Sequence, residues 1–392
     1  MLHSYSKDFF FSYIHIMKKK LLQKFELQFG KEADLVVFSP GRINLIGEHV
    51  DYNDGFVFPA AINKGIFIAI GKSHNAFTRI HAMDMEETYH SNETITPRWA
   101  VYFKAMKKAL GAKEIGQIPF NAVFASTLPI GAGMSSSAAL CVGFLYALNT
   151  LKPWKLDKIS LAKLAQRTEH LVGVKCGLLD QFSILFSKEN NFMKLDCLSL
   201  SKEYFPFKRD DLKLMVVQSK VSHNLSSSAY NERRKSCKAG FKSLQAQYED
   251  IRTFRDLDET LVRSAIGLKQ EESDCLLYVV QELKRVDKLA SNINNGCPIL
   301  LGKILNYGHD GLKNLYRVTC TETDFLHDHI KDLDQVFGLR QMGGGFGGSM
   351  IGMVDINFEK RNLVKVFKKY AIQFDKIPEA FFPTLGDAVR VI

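Results

Sequence analysis

No uninterrupted apolar stretch in this chain approaches the ~20 residues that a helix needs to span a bilayer. A helical membrane protein is therefore not expected. No C-x-x-C pair occurs. The seven cysteines, Cys141, Cys176, Cys197, Cys237, Cys275, Cys297 and Cys320, are odd in number and widely spaced. That pattern argues against a zinc cluster or disulfide framework and for a reducing, cytoplasmic setting. Arg-rich blocks with interleaved aromatics, zinc-finger spacings and RNA-recognition signatures are also missing. The net charge of +10, from 52 Lys and Arg against 42 Asp and Glu, thus reads as a scattered basic surface. Such a surface suits small anionic ligands better than nucleic acid. Internal repeats and low-complexity linkers are absent. With 46% hydrophobic and 24% charged residues, the 392-residue chain has the composition of an ordered protein. Its length suits two domains.

The amino terminus is aromatic and apolar from Phe9 to Ile16, and its only tight basic run, Lys18-Lys19-Lys20, follows rather than precedes that stretch. A signal peptide has the reverse order. Residues 1–16 are expected to be an extension, with a lysine-rich first helix beginning at Met17. Leu35–Ser39 reads as a strand ending at Pro40-Gly41, Val57–Gly71 as an apolar stretch with breaks at Pro59 and Gly65, and Phe120–Ser126 as another apolar, β-type run. Ser135–Thr150 is apolar on nearly all faces, which predicts a buried helix. Ser160–Val172 is amphipathic; at 100° per residue Leu161, Leu164, Ala165, Leu171 and Val172 share one arc, with Glu169 at its edge. After a strand at Leu212–Gln218, helices dominate from about Ser228 to Asn294. A strand at Ser349–Val354 and a helix at Phe358–Phe374 follow. Mixed strands and helices without regular βαβ alternation predict an α+β fold, divided near residue 200 into segments 17–200 and 201–392.

Three stretches carry chemistry. The first is Leu128-Pro-Ile-Gly131-Ala132-Gly133-Met134-Ser135-Ser136-Ser137-Ala138, set between a strand and a buried helix. Glycines allow a tight turn that points successive N–H groups inward, and the helix start adds unpaired N–H groups and a positive dipole end. Together they make a phosphate cradle. No Gly-Lys-[Ser/Thr] follows, so this is not a Walker loop. The second is Gly41-Arg42-Ile43-Asn44-Leu45-Ile46-Gly47-Glu48-His49-Val50-Asp51. Carboxylates beside a guanidinium suit a polyol, whose hydroxyls need donors and acceptors together. The second His of H-E-x-x-H is missing, so zinc is not indicated. The third is Gly343-Gly344-Gly345-Phe346-Gly347-Gly348, whose glycines permit very close backbone approach.

Taken together these motifs resemble the galactokinase branch of the GHMP small-molecule kinases, over a span from about Met17 to the carboxyl end. Cys176–Gln181, His223–Arg234 and Gly308–Tyr316 are lesser matches. Gln341-Met342 and Gly308-His309 depart from the family's usual Met-Thr and Ser-His. The resemblance implies a two-domain α+β GHMP fold with its active site in the interdomain cleft. It implies transfer of a phosphoryl group from ATP, with Mg²⁺, to the anomeric hydroxyl of galactose, by a monomer or weak homo-oligomer. Asp180 would accept the O1 proton and Arg42 would be its cationic partner, since a guanidinium beside a carboxylate favours the charged form. Glu48, His49, Asp51, Gly177 and Tyr230 would contact the sugar. The loop Gly131–Ala138 would hold ATP, and Ser137 with Glu169 would hold Mg²⁺. A related kinase of N-acetylgalactosamine or arabinose, or a sensor without turnover, is the alternative.

Overall fold

The computed structural model describes residues 2–111, 119–129, 131–151, 154–221 and 226–392, with side chains described from Tyr13 in the first helix and from Ala229 in the helix after residue 225. The strands are β1 Leu35–Asn44, β2 Phe56–Val57, β3 Pro59–Lys72, β4 Arg79–Ala82, β5 Glu87–His90, β6 Phe120–Ser126, β7 Asn191–Asp196, β8 Lys202–Pro206, β9 Leu212–Gln218, β10 Val336–Met342, β11 Ser349–Asp355, β12 Glu379–Phe381 and β13 Arg390–Val391. The helices are α1 Leu2–Phe29, α2 Val101–Leu110, α3 Ser136–Leu151, α4 Lys158–Val172, α5 Leu179–Phe186, α6 Ser226–Gln247, α7 Glu259–Ser264, α8 Gln270–Asn292, α9 Pro298–Gly311, α10 Thr321–Ile330 and α11 Val364–Phe374.

A six-stranded sheet in the order β13-β1-β3-β6-β4-β5 organises the first half. Its central strands are apolar on both faces because both faces are covered. With the period of two, Val36, Phe38, Phe67, Ala69, Val123 and Ala125 meet α1, whereas Val37, Ile66, Ile68, Ile70, Ala122 and Phe124 join the main core with α3. The apolar surround of α3 is explained in the same way: Ala138 to Leu145 are all buried.

The first helix differs from expectation. It does not begin at Met17 but runs from Leu2, and Ile14 and Met17 join Leu21 and Phe25 beneath the sheet. The first strand also differs. Pro40-Gly41 does not end β1; the pairing with β3 shifts register between Pro40 and Arg42 and then continues to Asn44. The partners step from Gly65 to Ala61 while β1 steps only from Pro40 to Arg42, so the extra residues lie in β3 and β1 runs on past its proline. Arg42, just beyond the irregularity, faces the cleft described below.

In the second half β10, β11, β9 and β12 form a sheet in the order β10-β11-β9-β12. Met215, Val217, Leu339, Met350 and Val354 pack on α10 and α11 through Leu326, Ile330, Val366 and Tyr370. The long pair α8 and α9 contributes Tyr278, Leu289, Ile304 and Leu305 to the same main core as the first sheet. The short sheet β2-β7-β8 carries the chain past residue 200 before it enters β9, and β13 returns to pair with β1 through Val37 and Phe38. Among the described residues, no helix is long and apolar enough to cross a membrane.

Candidate active site

A cleft of about 400 Å³ opens where the Ser-rich loop, β1, α5 and the glycine-rich turn after β10 converge. Arg42, Glu48, His49, Asp51, Asp180, Tyr230, Gly343 and Gly344 line it, together with every residue from Gly131 to Ser137. Residues as far apart as 42 and 343 thus share one wall. Ala138 is fully buried as the first core residue of α3. Glu169 and Gly177 stand behind the wall, and Gly345, Phe346, Gly347 and Gly348 do not line it.

The Ser-rich loop is built as a cradle. Gly131 and Gly133 have φ of 70° and 66°, and Ser135, a non-glycine, has φ of 59° immediately before α3 begins. Such a left-handed serine is costly and is characteristic of a functional turn. Its Oγ is buried with no hydrogen-bond partner among the described residues. The loop is clamped from both halves: Ser349 on β11 donates to the Ala132 carbonyl at 2.6 Å, and Arg42 donates its backbone N–H to Met134 O at 3.3 Å.

Arg42 is nearly buried and pairs with Asp180, which sits in the first turn of α5. Its Nε and Nη2 both lie 2.8 Å from Asp180 Oδ1. A third contact, Nη1 to the Gly133 carbonyl, ties the guanidinium to the phosphate loop. Asp180 Oδ2 carries no hydrogen bond among the described residues, and the side chain is 22% exposed, into the cleft.

The sugar-side candidates divide by environment. Glu48 is buried: its Oε1 accepts from Gly343 N at 2.8 Å and from Arg340 Nη2 at 3.2 Å. Arg340 is fully buried and also donates to the carbonyls of Leu45 at 2.7 Å and Asn44 at 3.0 Å. It therefore fastens the signature segment to the glycine-rich turn. His49 has φ of 59°, and its Nδ1 lies 2.7 Å from Tyr52 Oη. Burial, then the Arg340 charge, pushes its pKa down to about 3, so the ring is neutral. Its Nε2 is buried without a partner among the described residues. Tyr230 and Tyr316 stand against this ring at 5.4 and 4.9 Å. Asp51 is raised to about 7, by burial first and then by the charges of Asp180 and Glu48, against the pull of Arg234 and the Leu179 N–H. Gly177 supports it: a Cβ there would lie 2.1 Å from Asp51 Oδ2.

Glu169 corrects the helical-wheel expectation. It is not at an edge but within the buried face of α4, which comprises Leu161, Ala162, Ala165, Thr168 and Glu169, while Leu171 is exposed. A carboxylate can sit there because Ser137 Oγ donates to its Oε1 at 2.7 Å and Gln181 Nε2 to its Oε2. Burial and the nearby Asp180 charge still raise it to about 7. Its bonding partners are neutral, and a cation would relieve this. A hydroxyl and a carboxylate are the hard oxygen donors Mg²⁺ prefers, and two of them leave room for phosphate oxygens and water. The donor set fits. Among the described residues, no group of three His, Cys, Asp or Glu gathers to hold a metal alone.

Tyr102 lines the cleft and Arg340 is buried behind it, and neither falls within a motif, whereas Cys176, Asn231 and Gln181 lie inside the lesser matches and Tyr52 ends the signature segment, without a role of their own there. Arg340 directly precedes the third motif, so an arginine in an otherwise apolar strand was the available signal. Tyr102 lies on an ordinary amphipathic helix and gave none. Of the lesser matches, Gly308–Tyr316 delivers Tyr316 to the His49 ring, while His223, Asn224 and Leu225 lie outside the described residues.

The fold is shared with solved structures. A mevalonate kinase superposes with a TM-score of 0.57 at 16% identity, covering 90% of this chain and 99% of its own. Residues 100–188 match the GHMP kinases N terminal domain. A left-handed glycine–serine loop facing a guanidinium–carboxylate pair on this framework is the arrangement of a GHMP-type small-molecule kinase. Within that class, residues 23–72 match the galactokinase galactose-binding signature. The galactokinase of Thermotoga maritima is 36% identical over 317 residues, covering 80% of this chain and 88% of its own. That of Lactobacillus helveticus is 34% identical over 374 residues, 91% and 96% of the two chains. The Lactococcus lactis galactokinase solved with galactose superposes with a TM-score of 0.88 at 27% identity, covering 96% and 100%. The chain belongs to the galactokinase family.

Proposed function

We propose that the protein transfers the γ-phosphoryl group of ATP to the anomeric hydroxyl of galactose, giving galactose 1-phosphate and ADP. The observation that carries this reading is the Arg42–Asp180 pair at 2.8 Å, held beside the phosphate cradle and opposite a neutral His49 and a partly buried Asp51.

The left-handed loop and the start of α3 offer N–H groups to the phosphates, and Ser135 Oγ, which lacks a partner, is available to a phosphate oxygen. Asp180 Oδ2 accepts the O1 proton as O1 forms its bond to the γ-phosphorus. The bond from that phosphorus to the bridging oxygen breaks, and the electron pair leaves with ADP. Arg42 holds Asp180 through Oδ1 and spreads positive charge towards the transferring group. Ser137 and Glu169 would hold Mg²⁺, which when bound would neutralise phosphate charge. His49 Nε2 and Asp51 take sugar hydroxyls, with Gly177 leaving space for the Asp51 carboxylate. The Tyr52, Tyr230 and Tyr316 rings exclude water around them.

ADP release measured with Mg-ATP and a panel of sugars tests the reading. Galactose should be the preferred acceptor. Preference for N-acetylgalactosamine or arabinose would change the substrate, and sugar binding with no ADP above background would point to a sensor. Asp180→Asn keeps shape and removes the base, so turnover should fall about 10²- to 10⁴-fold. Turnover near the parent's would remove Asp180 from this role.

A further inference from the structure

A second cavity, about 600 Å³, lies between α8, α9 and the turn that follows α9, and shares no lining residue with the active-site cleft. Its wall is unusually basic. Arg285 and Lys288 face it from α8 and Lys303 from α9, against one carboxylate, Asp310. Both lysine side chains are exposed and carry no hydrogen bond or ion pair among the described residues. Arg285 is largely buried. Its Nη2 has no hydrogen-bond partner among the described residues, although its Nε is engaged by Glu282 Oε2 at 2.7 Å. Tyr307 presents a ring that is 61% exposed, beside the apolar Ile304, and Gln281 and Asn314 add amides. Two lysines without ion pairs beside the Arg285–Glu282 pair favour an anion, an open aromatic face with an apolar neighbour suits the C–H face of a sugar ring, and the Asn314 amide beside Asp310 suits hydroxyls, Gln281 Nε2 being taken by Glu259 at 3.0 Å.

The cavity is wired to the sugar loop. Arg285 holds Glu282, which is fully buried, and the other oxygen of Glu282 accepts Gly47 N at 2.8 Å. Gly47 precedes Glu48 and His49. On the same helix, Tyr278 donates its hydroxyl to the Glu48 carbonyl at 2.9 Å and lies under the Arg285 guanidinium at 5.7 Å. An anion that draws on Arg285 thus acts on the cation that pairs with Glu282 among the described residues, and through it on the backbone that carries Glu48 and His49. Coupling of this sort is reciprocal between the two ligands.

We propose that this cavity is a regulatory site for a hexose phosphate, whose binding changes affinity for the sugar substrate but not for ATP. The reaction's own product and a hexose phosphate from elsewhere share the required chemistry, and the test separates them. The full chain is saturated with galactose and a non-hydrolysable ATP analogue, so that the active-site cleft is filled. It is then titrated calorimetrically with galactose 1-phosphate, with glucose 6-phosphate and with inorganic phosphate. The expected result is one equivalent of binding by at least one hexose phosphate, weakened tenfold or more in Lys288→Gln/Lys303→Gln, whose basal turnover stays at the parent level. The tighter of the two sugars names the source. A second readout is the galactose KM, which should shift at least twofold with that ligand in the parent and not in the double variant, while the ATP KM holds. Absence of binding at millimolar hexose phosphate overturns the site, as does binding unchanged in the double variant. Inorganic phosphate binding as tightly overturns the sugar body, and binding without any shift in galactose KM overturns the regulatory role.

Discussion

On the role proposed for Asp51, galactose binding is expected to be sensitive to protons in the neutral range. Burial and the neighbouring charges of Asp180 and Glu48 put its pKa at about 7. Sugar hydroxyls donate more strongly to the ionised carboxylate than to the neutral acid, one of whose oxygens is occupied by a proton, so binding favours the charged form. One unit below the pKa only about a tenth of the sites are ionised, so the apparent KM for galactose should rise about tenfold between pH 8 and pH 6. Over the same range the KM for ATP should change little. The sign for stability is opposite. A carboxyl raised from its ordinary value of 3.8 to about 7 contributes stability that is fully present below the lower value and lost as pH rises through the upper one. Galactose should therefore protect against thermal unfolding more at pH 8 than at pH 6. Initial rates over a galactose series at each pH, run in parallel with Asp51→Asn, give the answer. The variant should show a raised and nearly flat KM. A galactose KM independent of pH in the parent, or the same slope in the variant, would refute the assignment of the titrating group.

Gly177→Ala should raise the galactose KM at least ~tenfold with the ATP KM unchanged, because the new Cβ would lie 2.1 Å from Asp51 Oδ2 and a lost hydrogen bond to a charged group costs about 1.5–3 kcal/mol; parallel sugar and ATP titrations would reveal an effect on the wrong ligand. Glu169→Gln should move the Mg²⁺ dependence of the rate to higher concentration, and a superimposable metal titration would return Glu169 to a purely structural place in α4. Removal of residues 1–16 should leave kcat and both KM values in place, since the active-site cleft draws nothing from α1. It should lower the melting temperature, because Ile14, 8% exposed, is lost from beneath the sheet at about 1.5–3 kcal/mol; calorimetry showing no change would mean that Ile14 contributes nothing there.

The motifs that converge on the cleft are legible because each is local. A glycine–serine loop before a buried helix presents N–H groups wherever that helix packs, and the Gly41–Asp51 segment holds its donors and acceptors within a few residues. The strand Phe120–Ser126 is legible for the same reason, since β-rich apolar runs between turn residues need no distant information, whereas the break expected at Gly65 is absent because β3 runs unbroken from Pro59 to Lys72. What sequence could not convey was pairing. Arg42 and Asp180 are 138 residues apart, and Glu48 and Arg340 are 292 apart. Only packing α5 on β1, and β10 beneath the signature segment, brings them into contact. The buried face of α4 was misjudged because the wheel ranks side chains by polarity, whereas Ser137 and Gln181 make a buried glutamate tolerable at position 169. Pro40-Gly41 reads as a strand end because proline forbids one hydrogen bond; β1 continues because the irregularity is taken up by extra residues in β3, which only the pairing reveals. The pKa of Asp51 and the basic cavity under α8 and α9 likewise exist only in three dimensions, since burial and the summed field of distant charges are properties of the packed chain.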